Sequence, residues 1–235
     1  MAIGTVYTLY DDMLKQTHLL VAGATGSGKS VVINGIIYNG LYNSPDDFKM
    51  ILDDPKRVEL SMYRDLPHTL RYASEPEEMV QALKYAMKET ERRYQAMQAA
   101  KIRKYNGGDL YVIIDELADL MTTNKKQIQP LIQRLCQIGR AAKVHVIAAT
   151  QCPLSCVIST PIKVNFISKV ALRTMCAQDS RNIMGKTGCE LLPKYGKGYY
   201  ITENNEQLYN IPMYTDDELQ EVVDYWTCAT NQVIA

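Results

Sequence analysis

Short apolar runs recur along the chain, each bounded by turn residues, and stretches with helical spacing separate most of them. This alternation is typical of an α/β protein whose central sheet is mainly parallel and flanked by helices. The runs that predict strands are His18 to Ala22, Lys49 to Asp53, Tyr111 to Asp115, Val144 to Thr150 and Phe166 to Arg173.

A final pair of apolar runs predicts a β-hairpin near the carboxyl end of the sequence. Gly198 to Thr202 and Gln207 to Ile211 flank the residues ENNE. The Asn-Asn pair tolerates the positive φ of a tight turn. No repeat, low-complexity segment or linker interrupts the pattern, so we expect one domain over residues 1–235.

Two long amphipathic helices are predicted. The first begins at S-E-P-E, where Ser74 is the expected N-cap, a proline occupies the first turn and Glu77 completes a capping box. Its apolar positions recur at helical spacing down to about Lys104, and the second helix runs from about Lys126 to Ala142. We interpret both apolar stripes as core.

The overall charge of the 235-residue chain is balanced, with 26 basic and 26 acidic side chains. No global field therefore attracts nucleic acid. Any DNA contact must come from a local basic patch or from several subunits around a channel.

The cysteines and the apolar runs indicate the cellular compartment. The six cysteines form no C-x-x-C pair and the chain has only three histidines, so we expect reduced thiols rather than disulfides or a zinc site. There is no signal-peptide pattern, and no apolar run approaches the roughly 20 residues that span a bilayer. We expect a cytoplasmic protein, with any membrane association supplied by another region or a partner.

The run from His18 to Ala22 leads directly into GATGSGKS, which fits the phosphate-binding pattern G-x-x-x-x-G-K-[ST]. In such a loop backbone N–H groups surround the phosphates, Lys29 reaches the terminal phosphates and the Ser30 hydroxyl ligates Mg²⁺. The predicted nucleotide-binding residues are Gly23, Ala24, Thr25, Gly26, Ser27, Gly28, Lys29 and Ser30.

A second motif, LYVIIDE from Leu110 to Glu116, is an apolar run that ends in two acids. In a P-loop protein it is the natural Walker B motif, in which Asp115 holds the Mg²⁺ shell and Glu116 polarises the attacking water. The alternative is a helix N-terminus, which favours acids because of the helix dipole.

The acidic pair also separates classes of P-loop protein. A nucleotide kinase needs an acceptor site and a lid, and a GTP switch usually needs N-K-x-D, a tetrapeptide that this sequence lacks. A glutamate after the Mg²⁺ aspartate, with an additional strand between the Walker motifs, instead fits ATPases that hydrolyse ATP repeatedly. Repeated hydrolysis suggests mechanical work.

Three further polar residues are candidates for the hydrolytic site. Gln151 follows the predicted strand ending in ATQ, at the edge where ligands of open parallel sheets bind, and either senses the γ-phosphate or caps a turn. Arg140 in QIGRAAK and Arg181 in QDSRNIM are candidates for an arginine that reaches a neighbouring subunit's γ-phosphate. The alternative for each arginine is a solvated or salt-bridged surface position.

Several longer segments accompany these motifs. They are HLLVAGATGSGKS, DDPKRVELSMYRDLPH, ERRYQAM, IRKYNGG, VIIDELADLM, IQRLCQIGRAAKVHVIAATQ, DSRNIM and IPMYTDDELQEVVDYW. Together they resemble the motor domain of the FtsK/SpoIIIE DNA translocase family. The resemblance runs from about Thr17 to Trp226 and is far more specific than a P-loop alone.

The resemblance implies a RecA-like P-loop ATPase that forms a ring, usually a hexamer, around double-stranded DNA and pumps it through the central channel. Such motors serve chromosome segregation or the transfer of mobile elements, with ATP and Mg²⁺ as cofactors. Lys29 and Ser30 then match the Walker A pair, Asp115 and Glu116 the Walker B pair, and Gln151 the sensor-like position. For the arginine that acts across the subunit boundary, Arg140 is the first choice and Arg181 the second.

The sequence departs from the family pattern at several positions. Cys152 and Leu154 replace the arginine and serine of ATQRPS, Asp53 stands where the family is usually apolar, and PKYGKGYY replaces a GKGDMLY-like turn. From the resemblance we expect this sequence to lack the family's membrane helices, its linker, much of its α subdomain and its C-terminal winged helix. We therefore expect either an excised motor or a compact relative, without sequence-guided direction.

DNA contact in such a motor goes to the backbone, which suits a pump that ignores sequence. The candidate residues are Lys101, Arg103, Lys104, Thr160, Lys163 and Asn165. An ordinary solvated loop is the alternative for each of them. Two other functions stay open: a related ATPase of a protein secretion system, and a module in which bound nucleotide holds an assembly together without turnover.

Overall fold

One sheet of eight strands carries the fold in the computed structural model, which describes residues 3–151, 162 and 164–234. The strands are β1 (His18–Ala22), β2 (Phe48–Asp53), β3 (Thr69–Ala73), β4 (Asp109–Ile114), β5 (Val144–Thr150), β6 (Ser168–Ala171), β7 (Lys197–Ile201) and β8 (Glu206–Asn210). The helices are α1 (Ile3–Leu14), α2 (Lys29–Gly40), α3 (Pro76–Ala100), α4 (Leu117–Thr123), α5 (Lys125–Ala142), α6 (Ala177–Met184) and α7 (Asp216–Ile234). Two short 3₁₀ helices span Ser61–Tyr63 and Cys189–Leu191.

The strand order is β3-β2-β4-β5-β1-β6-β7-β8. All pairs from β3 to β6 are parallel, whereas β6–β7 and β7–β8 are antiparallel. The predicted α/β fold with a mainly parallel sheet and a terminal hairpin is therefore confirmed. Because the strands from β3 to β6 run the same way, their carboxyl ends share one edge of the sheet.

Helices cover both faces of the sheet, and each face has its own hydrophobic layer. Alternate residues of β1 belong to different layers: Leu20 packs with the helices on one face and Leu19 with those on the other. The first layer includes Leu83 of α3, Leu120 of α4 and Leu135 of α5, and the second includes Tyr10 of α1, Ile33 of α2 and Val223 of α7. Burial on both faces explains why the central strands read as continuous apolar runs.

The longest helix, α3, differs from its predicted bounds at both ends. Its N-cap is Glu75, not Ser74, and the capping-box partner is Glu78, not Glu77. The proline ring lacks an N–H and suits the first helical position, which moves the start of the helix to Pro76. At the other end Lys101 takes a left-handed φ of 55°, so the helix ends before the basic residues that follow.

The apolar pattern missed some elements and misplaced the ends of others. The edge strand β3 was missed because most of its side chains are only partly buried, and α1, α4 and α7 were not predicted. The strand expected from Phe166 to Arg173 is confined to β6, since Phe166 lies in the approach to the strand and packs near His18.

The terminal hairpin forms, but for a reason other than the one predicted. β7 and β8 are each one residue earlier than expected and pair in antiparallel register, with Ile201 opposite Glu206. Neither Asn204 nor Asn205 has a positive φ. The turn is closed instead by the backbone N–H of Thr202, which donates to the carbonyl of Asn205 at 2.8 Å.

None of the helices in the described ranges combines the length and the apolar character that a membrane span requires.

One acid lies inside the first hydrophobic layer. Asp53, at the end of β2, is fully buried, and neither carboxylate oxygen has a hydrogen-bond partner in the described part of the chain. Ile51, two residues earlier on the same strand, belongs to this layer, so Asp53 faces the same side. Burial raises the pKa of this carboxyl well above its usual range. Asp53 is thus the departure from the family pattern with the clearest structural cost.

We predict that Asp53→Val stabilises the fold. A buried polar group without a partner costs about 1–3 kcal/mol, and valine suits a strand. The folded-state pKa lies above the unfolded one, so the unfolded chain loses its proton first and stability falls as pH rises from about 4 towards the folded pKa. Urea unfolding of both proteins across this pH range should show that the variant has the larger free energy of unfolding and that the difference grows as pH rises.

The control is Asp65→Asn, because the Asp65 side chain is 96% exposed. Its unfolding free energy should track that of the wild type at every pH. Identical pH dependence in wild type and Asp53→Val would contradict an unpaired buried carboxyl at position 53.

Candidate nucleotide-binding and hydrolysis site

The loop from Gly23 to Ser30 leaves β1 at the carboxyl edge of the sheet and is held by its neighbours on both sides. Gly23 N–H donates to the carbonyl of Thr150 at 3.3 Å, and Ala24 N–H donates to that of Arg173 at 2.8 Å. A β-carbon on Gly23 would lie 2.5 Å from Ser27 Oγ and 2.8 Å from Leu172 Cβ, so only glycine fits there. The loop is therefore a tight curl anchored to β5 and to the end of β6.

Helix α2 begins at the lysine of this motif and presents an open amino terminus. Its N-cap, Gly28, has φ 101° and provides no side-chain cap, and Gly26 has φ 70°. The first N–H groups of a helix have no partner within the helix and favour anions. Lys29 Nζ donates to the carbonyls of Gly23 and Ala24 at 3.0 and 2.9 Å, and burial lowers the pKa of its ammonium.

Asp115 follows β4 at the same edge of the sheet. It is buried, and its Oδ2 has no hydrogen-bond partner among the residues that the structure describes. Burial raises the pKa of this carboxyl to about 6; Glu59, Asp54 and Glu116 add to the rise, and Lys56 opposes it. Lys56 Nζ lies 3.7 Å from Oδ2.

Glu116 makes the helix-capping contact that the alternative interpretation of the acidic pair expects, and its catalytic role stays a prediction. Its Oε1 accepts hydrogen bonds from Ala118 N–H and Gln151 N–H, each at 3.2 Å, and the first of these caps α4. Its Oε2 is buried and finds no partner within the described ranges. One oxygen is therefore fixed by the backbone, while the other is buried without a hydrogen-bond partner in the described part of the chain.

Gln151 connects the two motifs. Its backbone N–H donates to Glu116 and its side-chain carbonyl accepts a hydrogen bond from the hydroxyl of Thr25. The predicted position at the carboxyl edge of the sheet is confirmed, and the contact with Thr25 is one that the sequence did not predict. The neighbouring Cys152 and Leu154 lie outside the described residues.

The groups present fit a Mg²⁺-nucleotide. The open amino terminus of α2 and Lys29 suit phosphates. Oδ2 of Asp115, which has no hydrogen-bond partner in the described chain, and the hydroxyl of Ser30 suit a hard cation. Across the described chain no three His, Cys, Asp or Glu side chains are grouped to hold a metal by themselves. This agrees with Mg²⁺ chemistry, because that ion commonly takes one or two protein ligands and completes its shell with phosphate oxygens and water.

Arg140 lies at the opposite edge of the sheet, close to the end of α5. It lines a cavity of about 840 Å³ together with Arg103, Lys104 and His145. His145 is the second residue of β5, so this cavity adjoins the amino ends of the parallel strands. The seven residues of β5 span about 20 Å, which keeps Arg140 away from the P-loop of its own chain.

Arg181 occupies the last turn of α6 and is exposed. The nearby Glu190 has a pKa below its usual range, first because the backbone N–H of Gly188 donates to it, with a smaller contribution from Arg181. Arg181 thus has a local acidic neighbour.

Four of the six predicted DNA-contacting residues lie in the described part of the chain, and two do not. Lys101, Arg103 and Lys104 are exposed after the end of α3, and Arg103 and Lys104 line the same cavity as Arg140. Asn165 donates its backbone N–H to Ile162 shortly before β6, also at the amino edge. Thr160 and Lys163 lie outside the described residues.

Two lysines near the site were not predicted. Lys56 belongs to the D-P-K tripeptide that follows β2, and it lies beside Asp115. That tripeptide was the sequence feature from which a role for Lys56 at the site could have been predicted. Lys194 lies against the P-loop: a β-carbon on Gly26 would be 3.8 Å from its Cε. Only the departure from the family turn, PKYGKGYY, marked that region in the sequence.

Comparison with solved structures shows a shared fold. The coupling protein TcpA of pCW3 conjugation, in its monomer form with ATPγS, matches with a TM-score of 0.80 and 22% identity over 91% of this chain and 66% of that chain. EssC (ATPases 2 and 3) from Geobacillus thermodenitrificans matches with a TM-score of 0.78 and 18% identity over 94% of this chain and 44% of that one.

Sequence comparison gives more similar relatives. The DNA translocase FtsK of Helicobacter pylori strain J99 is 39% identical over 91% of this chain, and that of Staphylococcus epidermidis RP62A is 40% identical over 88%. The chain spans only 27% and 29% of the lengths of these two relatives.

The model of the FtsK/SpoIIIE family matches residues 3–109 and 106–155, which is more than half of the sequence and includes both Walker motifs. Together with the mainly parallel sheet and the P-loop geometry, this match shows that the chain belongs to the FtsK/SpoIIIE family.

Proposed function

We propose that this chain is the ATP-hydrolysing motor domain of a hexameric ring that moves double-stranded DNA through its central channel. The observation that carries the proposal is Glu116, whose Oε1 is held by two backbone N–H groups while its buried Oε2 has no hydrogen-bond partner among the described residues. DNA as the cargo is supported by relatives at 36–40% identity, which are DNA translocases.

Binding of ATP uses groups that are already aligned. The N–H groups at the start of α2 and the ammonium of Lys29 hold the phosphates, and Lys29 exchanges its present carbonyl partners for phosphate oxygens. Ser30 and Asp115 would hold Mg²⁺, which would supply positive charge to neutralise the phosphates. The raised pKa of Asp115, about 6, reflects burial and nearby acids, and a bound cation favours its ionised form.

Hydrolysis requires a group that accepts a proton from the attacking water. Glu116 Oε2 is the candidate, because Oε1 is occupied and fixes the orientation of the carboxylate. Gln151 hydrogen-bonds to this acid and to Thr25 of the P-loop, so it is the candidate to relay a change at the γ-phosphate to Glu116.

A neighbouring subunit can add further positive charge at the transition state through an arginine that reaches the γ-phosphate. Arg140 is exposed at the opposite edge of the sheet, in a cavity that it shares with Arg103 and Lys104. The proposed ring is a head-to-tail assembly in which the amino edge of one subunit faces the P-loop of the next. Arg140 is then the trans arginine, and Arg181 with its acidic neighbour is the second choice.

A protein-secretion ATPase is the alternative motor. Its support is the fold likeness to EssC, but at 18% identity that likeness concerns the fold only. A nucleotide-bound assembly module without turnover is the alternative outside motors. Glu116 argues against this alternative, because a module without turnover does not need an acid that polarises water.

We predict that duplex DNA stimulates ATP turnover and that added salt suppresses this stimulation, because phosphate contacts release counterions. The measurement is steady-state ATPase rate with and without DNA across a salt series. Turnover indifferent to DNA at every salt concentration contradicts the DNA motor and favours the secretion alternative.

The basic residues after α3 can be tested in the same assay. Replacing Lys101, Arg103 and Lys104 with alanine should lower stimulation by DNA, whereas Lys125→Ala with Lys126→Ala should not. A fall in the rate without DNA would instead assign Arg103 and Lys104 to the interface cavity beside Arg140.

Glu116→Gln should reduce turnover by a factor of about 10²–10⁴, the usual contribution of a general base. Nucleotide binding should persist, since the glutamine carbonyl still caps α4. Single-turnover hydrolysis and equilibrium binding of ATP measure the two effects separately. Hydrolysis at the wild-type rate would remove Glu116 from the mechanism.

Arg140→Ala should lower turnover at least about 100-fold if the arginine acts in trans. Mixing this variant with Lys29→Ala should restore activity, because some interfaces then combine an intact P-loop with an intact Arg140. The matched control is Arg134→Ala, an exposed arginine on the same helix. A mixture no more active than its components contradicts a shared site.

A further inference from the structure

A second lysine approaches the P-loop from outside the Walker motifs. Lys194 lies in the turn between the 3₁₀ helix Cys189–Leu191 and β7, and it is exposed. Its Cε would lie 3.8 Å from a β-carbon on Gly26, so the aliphatic stem rests beside the middle of the loop. The ammonium lies one bond further along the side chain, within reach of a ligand on that loop.

The turn that carries Lys194 is fixed relative to the P-loop. Leu192 is buried in the first hydrophobic layer, and the carbonyl of Gly196 accepts the backbone N–H of Ile211 at 2.9 Å. Downstream, β7 pairs with β6, which pairs with the P-loop strand β1. Upstream, Thr174 N–H donates to the carbonyl of Cys189. The approach of Lys194 to Gly26 therefore follows from the sheet and its hydrogen bonds.

The ammonium of Lys194 has only a weak partner at present. Its Nζ lies 4.9 Å from the ring centroid of Tyr195, and within the described chain no salt bridge involves it. A lysine held near a phosphate-binding loop without a carboxylate keeps its charge available for an anion. By contrast, Lys186 in the same region is paired with Glu206.

We propose that Lys194 is a second phosphate-binding lysine of the same subunit, which binds the polyphosphate of the nucleotide held by the P-loop. Lys29 reaches the phosphates from within the loop, and Lys194 reaches them from the solvent side, over Gly26. The assignment rests on the proposed nucleotide site. It makes Lys194 a binding residue supplied by the turn PKYGKGYY, where the sequence departs from its family.

The test is the affinity for the non-hydrolysable analogue AMP-PNP with Mg²⁺, measured by calorimetry. Lys194→Ala should raise Kd about tenfold, the usual loss for one hydrogen bond to a charged group. Lys194→Gln should behave like alanine, and Lys194→Arg should retain most of the affinity. The difference from the wild type should shrink at high salt, since an exposed contact is screened.

The matched control is Lys197→Ala, an exposed lysine at the start of β7 in the same segment. It should bind AMP-PNP like the wild type. Wild-type affinity in Lys194→Ala, or an equal loss in Lys197→Ala, overturns the assignment. Thermal unfolding of each variant shows whether a loss of affinity comes from misfolding. If it does, Lys194→Arg is not expected to restore the affinity.

The binding measurement also separates this assignment from the proposed motor. If the wild-type protein binds AMP-PNP but its ATPase rate does not depend on DNA, the DNA motor is overturned, whereas the assignment of Lys194 is still decided by the binding measurement. If DNA stimulates the ATPase rate but Lys194→Ala binds AMP-PNP with an unchanged Kd, only the assignment of Lys194 is overturned. A wild-type chain that does not bind AMP-PNP overturns both.

Discussion

The hydrogen-bonded register of three parallel strands is the constraint on which the site depends. Ala22 at the end of β1 pairs with Thr150 at the end of β5, and Ile114 at the end of β4 pairs with Ala148. These pairings bring the residues that follow each strand to one edge. The P-loop, the Walker B acids and Gln151 are more than 30 residues apart in sequence, yet their backbones meet there. A slip in register would reverse the faces of the side chains and separate the motifs.

Burial of charge at this edge gives the site its chemical bias. Asp54, Asp115 and Glu116 are buried close together, and Lys56 and Lys29 partly offset their negative charge. Asp54 is partly satisfied by Leu60 N–H at 3.0 Å and the Tyr72 hydroxyl at 3.1 Å. Asp115 and Glu116 each keep one carboxylate oxygen without a hydrogen-bond partner in the described chain. Their negative charge exceeds the nearby positive charge, and a divalent cation would balance it.

Asp53 differs from these acids although it is adjacent to Asp54 in sequence. Successive side chains on a strand point to opposite faces, so Asp53 enters the apolar layer. Only burial shifts its pKa, and no neighbouring charge contributes. Its proximity to the site in sequence therefore does not make it a member of the site.

The parts of the fold and site that could be predicted are those with a strong local signal. Apolar runs located the central strands, and the glycine pattern located the P-loop and the start of α2. The edge strand β3 escaped because its side chains are only partly buried, and the N-cap of α3 was wrong by one residue because Pro76 sets the start of the helix. Contacts such as Thr25 with Gln151 and Lys194 with Gly26 depend on tertiary packing, which no local pattern encodes.

The two edges of the sheet carry different functional residues, and this bears on assembly. The carboxyl edge has the phosphate-binding loop and the Walker B acids, whereas the amino edge has a cavity of mixed charge whose lining includes Arg140 together with Asp11, Asp47 and Asp109. Under the proposed function, edge-to-edge contact between subunits is heterologous, since different surfaces meet. Repeated heterologous contacts close into a ring when the rotation between subunits divides a full turn. In a closed ring every nucleotide site receives an arginine from the neighbouring subunit. In an isolated chain the arginine lies about the length of a strand away from the phosphate-binding loop.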